Sequence, residues 1–222
     1  SLKGIDTLFL ISGSEIGQRE IQHKNVIKAA KKAGVKAITY TSILHAATSE
    51  MALAPEHVAT EKALEESGLT YTILRNGWYT ENYAMSIPGS IQVGGFIGSA
   101  GEGKISSATR EDFAEAAAVV LTSEGHENKI YELAGDKAYT LTDLATEVSK
   151  QTGSNLQYQN LTESEYTAAL VSMGLPEGFA KVLVDSDLNA EKGSLYSDDK
   201  TLSKLIGRPT TSLEEVVKKF IK

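Results

Sequence analysis

Two places in the chain set side chains able to do chemistry at informative spacings. The first runs from Leu69 to Tyr83, Leu-Thr-Tyr-Thr-Ile-Leu-Arg-Asn-Gly-Trp-Tyr-Thr-Glu-Asn-Tyr. Its first half alternates β-branched and aromatic residues like a strand and breaks at Asn76-Gly77. The only tryptophan, Trp78, follows at once, with Tyr79, Thr80, Glu81, Asn82 and Tyr83 behind it. In an open α/β sheet ligands sit just past the carboxyl ends of strands, so this turn reads as a pocket wall. A strand followed by an aromatic packing loop is the plainer alternative. The second place is His57, with Glu61 four residues on. On a helix these share a face, so the carboxylate can orient an imidazole that exchanges protons near neutrality. A solvent-facing helix start is the plainer reading of that pair.

Composition removes several other chemistries. The chain has 222 residues, 41% of them hydrophobic, enough for one large domain or a domain with a small appendage. It holds no cysteine, which excludes disulfides, thiolate metal sites and thiol nucleophiles. The histidines at 23, 45, 57 and 126 show no paired ligand spacing, so no metal site is expected. A net charge of -7 argues against nucleic acid as a partner. No window supplies the roughly 18 apolar residues of a membrane span, and a soluble, cytoplasmic protein is expected.

The elements that must position these residues follow in order. Asp6–Ser12 is an apolar run ending in Ser12-Gly13-Ser14, the pattern of a strand buried on both faces of a parallel sheet. Residues 22–33 carry a helical stripe closed by Gly34. Residues 35–42 form the next strand, and a second helix runs from about Pro55 to Ser67, stopped by Gly68. The strand at residues 69–76 completes β-α-β-α-β, a doubly wound parallel sheet. Residues 85–107 hold six glycines and read as turns around one short strand at Phe96-Ile97. Beyond them, Thr109-Arg-Glu-Asp112, Thr140-Leu-Thr-Asp143 and Thr162-Glu-Ser-Glu165 are capping boxes, which account for Arg110 and Asp112 without chemistry. Residues 1–140 are read as a partial dinucleotide-binding domain. Residues 141–222, mainly helical, are read as a smaller substrate-side lobe not fully separable from it.

A dinucleotide fold opens on strand, Gly-rich turn and helix, and no such fingerprint occurs in this chain. Leu8–Ile11 is too apolar for an open sheet edge, so a front segment of about sixty residues is expected upstream to cover it.

With Ser12-Gly-Ser-Glu-Ile-Gly-Gln-Arg19, Tyr40-Thr-Ser42, His57-Val-Ala-Thr-Glu-Lys62 and Arg75-Asn-Gly-Trp-Tyr-Thr-Glu-Asn82 placed, the chain resembles the NmrA-like atypical short-chain dehydrogenases. The branch it resembles reduces quinones with NAD(P)H. The resemblance implies a Rossmann-type fold lacking its first strands here, NADPH as cofactor with NADH as the alternative, and a small-molecule quinone as substrate. It places Ser12, Gly13 and Ser14 beside the adenosine and ribose end of the cofactor. It places Asn76, Gly77, Trp78, Tyr79, Thr80, Glu81 and Asn82 along the ribose and nicotinamide. Gly77 would let the main chain approach a carboxamide, and Trp78 and Tyr79 would wall a flat ring.

Ordinary short-chain dehydrogenases use Tyr-x-x-x-Lys; here His57 stands for the lysine and Leu53 for the tyrosine. Carbonyl reduction by a tyrosine acid is therefore not expected. A quinone is already a strong electrophile, so its reduction asks for positioning more than acid catalysis. His57 is the candidate proton donor, with Tyr79 and Tyr40 behind it, and His45 is expected to face solvent. The alternative function is an NmrA-type redox sensor that binds dinucleotides and a regulatory protein without turnover. A homodimer is compatible with either reading.

Overall fold

The computed structural model describes residues 2–221. In chain order the elements are β1 (Thr7–Leu10), α1 (Arg19–Ala33), β2 (Ala37–Ile43), α2 (Ala54–Glu65) and β3 (Thr70–Asn76). There follow α3 (Glu81–Ala84), α4 (Ile87–Val93), β4 (Gly95–Gly98), α5 (Arg110–Thr122) and β5 (Lys129–Leu133). The last third holds α6 (Leu141–Thr152), β6 (Gln157–Asn160), α7 (Glu163–Ser172), α8 (Glu177–Glu191), α9 (Thr201–Ile206) and α10 (Leu213–Phe220).

The main sheet has the order β1-β2-β3-β5 and is parallel throughout, with Leu10 beside Tyr40, Tyr40 beside Ile73, and Asn76 beside Leu133. Because side chains alternate along a strand, β3 feeds two cores. Ile73 joins Leu10, Ile38 and Tyr40 under Ile27, Ala30 and Leu64 of α1 and α2. Leu74 joins Leu133 under Phe113, Ala116 and Val120 of α5 and Leu202 and Ile206 of α9. Helices on both faces make this the expected doubly wound α/β arrangement.

A third core lies past the carboxyl end of β2. It joins Ile43, Met51 and Leu53 to Ile87, Phe96, Leu144, Val148 and Val216. This cluster straddles residue 140, so the sheet and the helices after it share buried surface. Packed against each other beyond it, α7 and α8 bury Tyr166, Leu170, Ala180 and Val184. No helix of the described residues is long and apolar enough to cross a membrane.

The capping boxes at Thr109, Thr140 and Thr162 all form, each threonine accepting from the backbone three residues on while that acidic side chain answers. A fourth, Ser212 with Glu215, starts α10. One expectation needs correcting: residues 87–93 are a helix, not a turn. Pro88 sits in its first turn, where no backbone N–H is required, and Gly94 ends it at φ 79. The glycine that reads as loop punctuation is thus a helix cap. Phe96-Ile97 does form a strand, β4, but it pairs with β6 in a separate two-stranded sheet. Along its outer side β1 pairs with no strand among the described residues, and Ile5 and Ile11 flanking it are exposed.

Candidate active site at the carboxyl end of the sheet

β3 ends at Asn76, and the chain passes into a tight channel. The Gly77 amide donates to the Leu133 carbonyl at 2.8 Å. A Cβ at Gly77 would stand 3.1 Å from that oxygen and 3.4 Å from the Ser106 carbonyl, so the position takes a side chain only if the backbone moves. Just beyond, Tyr79 bridges to Ala108: Ala108 donates to the Trp78 carbonyl at 3.2 Å and Thr80 donates to the Ala108 carbonyl at 2.9 Å. Thr80 and Ser107 hydroxyls meet at 2.8 Å, and Ser107 meets the Tyr139 phenol at 2.8 Å. The turn is therefore held by main-chain and hydroxyl bonds that leave its larger side chains for other work.

Those side chains part company. Trp78 is half-buried against the third core. Tyr79 meets Phe113 edge-on at 5.5 Å and carries the Arg110 guanidinium 4.8 Å above its ring. Arg110 also donates its Nη2 to Asn82 at 3.1 Å, and its backbone N–H to the Glu81 carboxylate at 3.0 Å. Arg110, beyond its place in the capping box, gathers Tyr79, Glu81 and Asn82 at the start of α5. Its i,j separation from them hides this in the sequence. Asn76 is buried, and its Oδ1 has no hydrogen-bond partner. A buried carboxamide oxygen left unmatched in this way invites a ligand donor.

Two strands away, the Ser12–Ser14 loop leaves β1. Ser12 N–H donates to Thr41 Oγ1 at 2.9 Å, Gly13 N–H donates to His23 Nε2 at 3.0 Å, and Ser14 is exposed. Neighbouring strands lie about 4.8 Å apart, so this loop and the Asn76 turn are separated by roughly 10 Å at the same end of the sheet. That span suits a nucleotide lying across the strand ends.

His57 lies between them but not as expected. It is 5% exposed, with Nδ1 2.8 Å from the Tyr40 phenol and Nε2 3.3 Å from Arg19 Nη1. Burial, helped by the Arg19 charge, pushes its pKa down to about 3, so the ring stays neutral where one titrating near neutrality was expected. Nor does Glu61 orient it. Glu61 accepts instead from Ser42 Oγ at 2.5 Å and from Arg75 Nε and Nη2 at 2.9 and 2.6 Å. An arginine on the adjoining strand outcompetes an imidazole four residues away. Burial likewise lifts the Tyr40 phenol above its usual range. His45 keeps its side chain 35% exposed, donates its backbone N–H to Glu132 at 2.8 Å and sets its ring 3.0 Å from the Tyr196 carbonyl.

Two surface cavities, of 480 and 600 Å³, lie elsewhere, one between Gly101, Tyr158 and Glu191 and one along α7 and α8. Neither includes a residue of the two loops. The strand-end site is marked instead by its chemistry, the unmatched Asn76 oxygen beside the crowded Gly77.

Comparison with known proteins bears on the same residues. Residues 1–124 match a family model described as NAD(P)H-binding. Over 217 residues the chain is 60% identical to quinone oxidoreductase 2 of Escherichia coli, covering 98% of this chain and 76% of that protein. It is 29% identical over 219 residues to the NAD(P)H azoreductase of Xenophilus azovorans, covering 98% and 76%. The crystal structure of the E. coli NADPH-dependent quinone oxidoreductase complexed with NADPH superposes with a TM-score of 0.97 at 59% identity, over 100% of this chain and 78% of that one. The Citrobacter sp. triphenylmethane reductase complexed with NADP(H) superposes with a TM-score of 0.94 at 38% identity, over 98% and 78%.

Proposed function

Because the chain belongs to the NAD(P)H-binding family, we propose that it reduces quinones in one two-electron step at the expense of NADPH. The observation that carries the reading is the end of β3. There a buried carboxamide oxygen without a partner, on Asn76, stands next to a glycine that has no room for a Cβ. Such a place fits a flat amide-bearing ring better than it fits packing. When bound, the dinucleotide supplies the hydride.

The residues of the chain supply position. In this reading Ser12, Gly13 and Ser14 hold the adenosine and ribose end. Asn76–Asn82 hold the ribose and nicotinamide, and Trp78 offers a flat apolar wall to the quinone. Residues 141–222 close the substrate side. A quinone needs no strong acid, since the hydroquinone oxygens take their protons readily from water. That matches a site whose buried histidines are held neutral. Tyr79, whose phenol has no hydrogen-bond partner among the described residues, is the hydroxyl left to meet a quinone oxygen. His57 serves by holding Tyr40 and Arg19 in place. A cytoplasmic location, a homodimer and the lack of a nucleic-acid partner belong to the same proposal, the last supported by the net charge of -7.

Steady-state oxidation of NADPH with and without a simple benzoquinone tests the reading. The expected result is quinone-dependent oxidation with one hydroquinone formed per NADPH. Tight NADPH binding with no quinone-dependent turnover would instead identify a dinucleotide sensor.

A further inference from the structure

Arg19, the first residue of α1, closes the Ser12–Arg19 segment and joins the Ser12–Ser14 loop to His57 on α2. Its Nε donates to the Gly13 carbonyl and its Nη1 to His57 Nε2. Gly13 is thereby held at both polar groups, since its N–H already donates to His23. No carboxylate among the described residues lies within ion-pair distance of Arg19, so the guanidinium has no counter-ion among them.

Hydrogen-bond directions around it are set at both ends. Arginine only donates, so His57 Nε2 accepts, its proton sits on Nδ1, and that N–H donates to the Tyr40 phenol oxygen. At the other end a carbonyl only accepts, so Thr60 Oγ1 donates to the Glu56 carbonyl at 2.8 Å. His23 Nδ1 must then donate to Thr60 Oγ1 at 3.0 Å, and its Nε2 receives the Gly13 amide. Both histidines are thus fixed in the same neutral tautomer. Both are also discouraged from charging by burial first and by the nearby guanidinium second.

We propose that Arg19 is a positioning residue for the cofactor: it fastens the Ser12–Ser14 loop to the buried His57, fixing the shape of the loop and the tautomer of the ring together. The proposal rests on the reading of that loop as part of the dinucleotide site. An unpaired guanidinium there also favours an anionic ligand by simple Coulomb attraction. Sequence alone gives little hint of it, because Glu15-Ile-Gly-Gln-Arg19 reads as an ordinary loop leading into a helix.

The test uses Arg19→Met and the milder Arg19→Lys, with NADPH affinity followed by Trp78 fluorescence and the histidine ring nitrogens followed by NMR. In the wild-type protein His57 should show one protonated nitrogen, Nδ1, unchanged from pH 8 to about pH 5. Arg19→Met should weaken NADPH binding about tenfold, with kcat at saturating NADPH changed by less than about threefold, because the loop is no longer fastened for binding while the reacting groups stay in place. It should also abolish the single-tautomer pattern. Arg19→Lys, which keeps the charge but not the fork, should fall between. Unchanged affinity in Arg19→Met, or an unchanged ring pattern in both variants, overturns the role of Arg19. Failure of the wild-type protein to bind NADPH overturns the function proposed above, while the ring pattern still judges the clamp.

Discussion

Arg75 holds Glu61 through two hydrogen bonds, from Nε at 2.9 Å and from Nη2 at 2.6 Å, and turns its Nη1 to Glu132 at 2.8 Å. One guanidinium on β3 therefore ties α2 to β5 across the carboxyl end of the sheet. The Glu61 side chain is only 7% exposed, so its charge depends on that partner. Arg75→Met, which strands two carboxylates, should destabilise the fold by about 3–5 kcal/mol. Glu61→Gln should cost less, about 1–2 kcal/mol, since the amide keeps one acceptor for the arginine. Urea unfolding followed by far-UV circular dichroism measures both. Glu61→Gln should also leave the His57 ring nitrogens as they are, because Glu61 does not touch that ring.

Acid should weaken the protein through His57. Its folded-state pKa lies at about 3 against an ordinary 6.5, so between these values the unfolded chain takes up a proton that the folded one refuses. Stability attributable to this ring is complete above pH 6.5 and is lost as pH falls toward 3. The full loss is on the order of 5 kcal/mol at the acid end. His57→Gln should flatten the stability profile in that window, measured by urea midpoints across pH.

Much of this framework is legible in the sequence and some of it is not, for physical reasons. The apolar run ending at Ser12, the alternation through Ile73 and the threonine capping boxes are local patterns, and each forms. Glu61 lies on the helical face that the i,i+4 spacing implies, but spacing cannot report that Arg75 stands on the adjoining strand. His57 likewise shows no sign of its burial, because nothing local says that Tyr40 and Arg19 will close over it. The helix at residues 87–93 is disguised by Gly89 and Gly94, one tolerated inside it and one capping it. Contacts set by register and crossover are the ones that a linear reading misses.

Asp187 on α8 should shift stability the other way. It is 2% exposed, accepts from the Tyr83 phenol and the Ser99 N–H at 2.8 and 2.9 Å, and has no cationic partner among the described residues. Burial raises its pKa from 3.8 to about 6, so the folded chain keeps a proton that the unfolded one releases in that window. The resulting penalty appears as pH rises through it and is complete above pH 6. Asp187→Asn, which still offers Ser99 an acceptor, should raise stability at pH 8 by about 1–2 kcal/mol and change little at pH 4. Thermal unfolding at the two pH values reads the difference.

Gly77→Ala should separate the turn from its supports. The new methyl meets two backbone carbonyls, Leu133 at 3.1 Å and Ser106 at 3.4 Å, neither of which can swing aside as a side chain would. The expected cost is about 1–3 kcal/mol of overpacking, with the Asn76–Asn82 turn displaced as the strain relaxes. Because that displacement falls on the proposed nicotinamide contacts, the KM for NADPH should rise about tenfold or more, ahead of any change in the KM for quinone. A loss of stability with both KM values intact would place the turn outside the site.

Trp78 and Tyr79 are adjacent in sequence but do different work, and kinetics can tell them apart. Trp78 leans on the third core with part of its ring uncovered, whereas Tyr79 is pinned between Phe113 and Arg110. If Trp78 is the wall against which a quinone lies, Trp78→Ala should raise the KM for quinone by about tenfold, the worth of one aromatic contact, and leave that for NADPH nearly unchanged. Tyr79→Phe keeps the packing and removes only the phenol, so its effect should appear in kcat and not in either KM. That effect should be under about tenfold, since water can supply the same proton. A large fall in kcat for Tyr79→Phe would mean that the hydroquinone oxygen depends on this hydroxyl for its proton, and that solvent does not reach it.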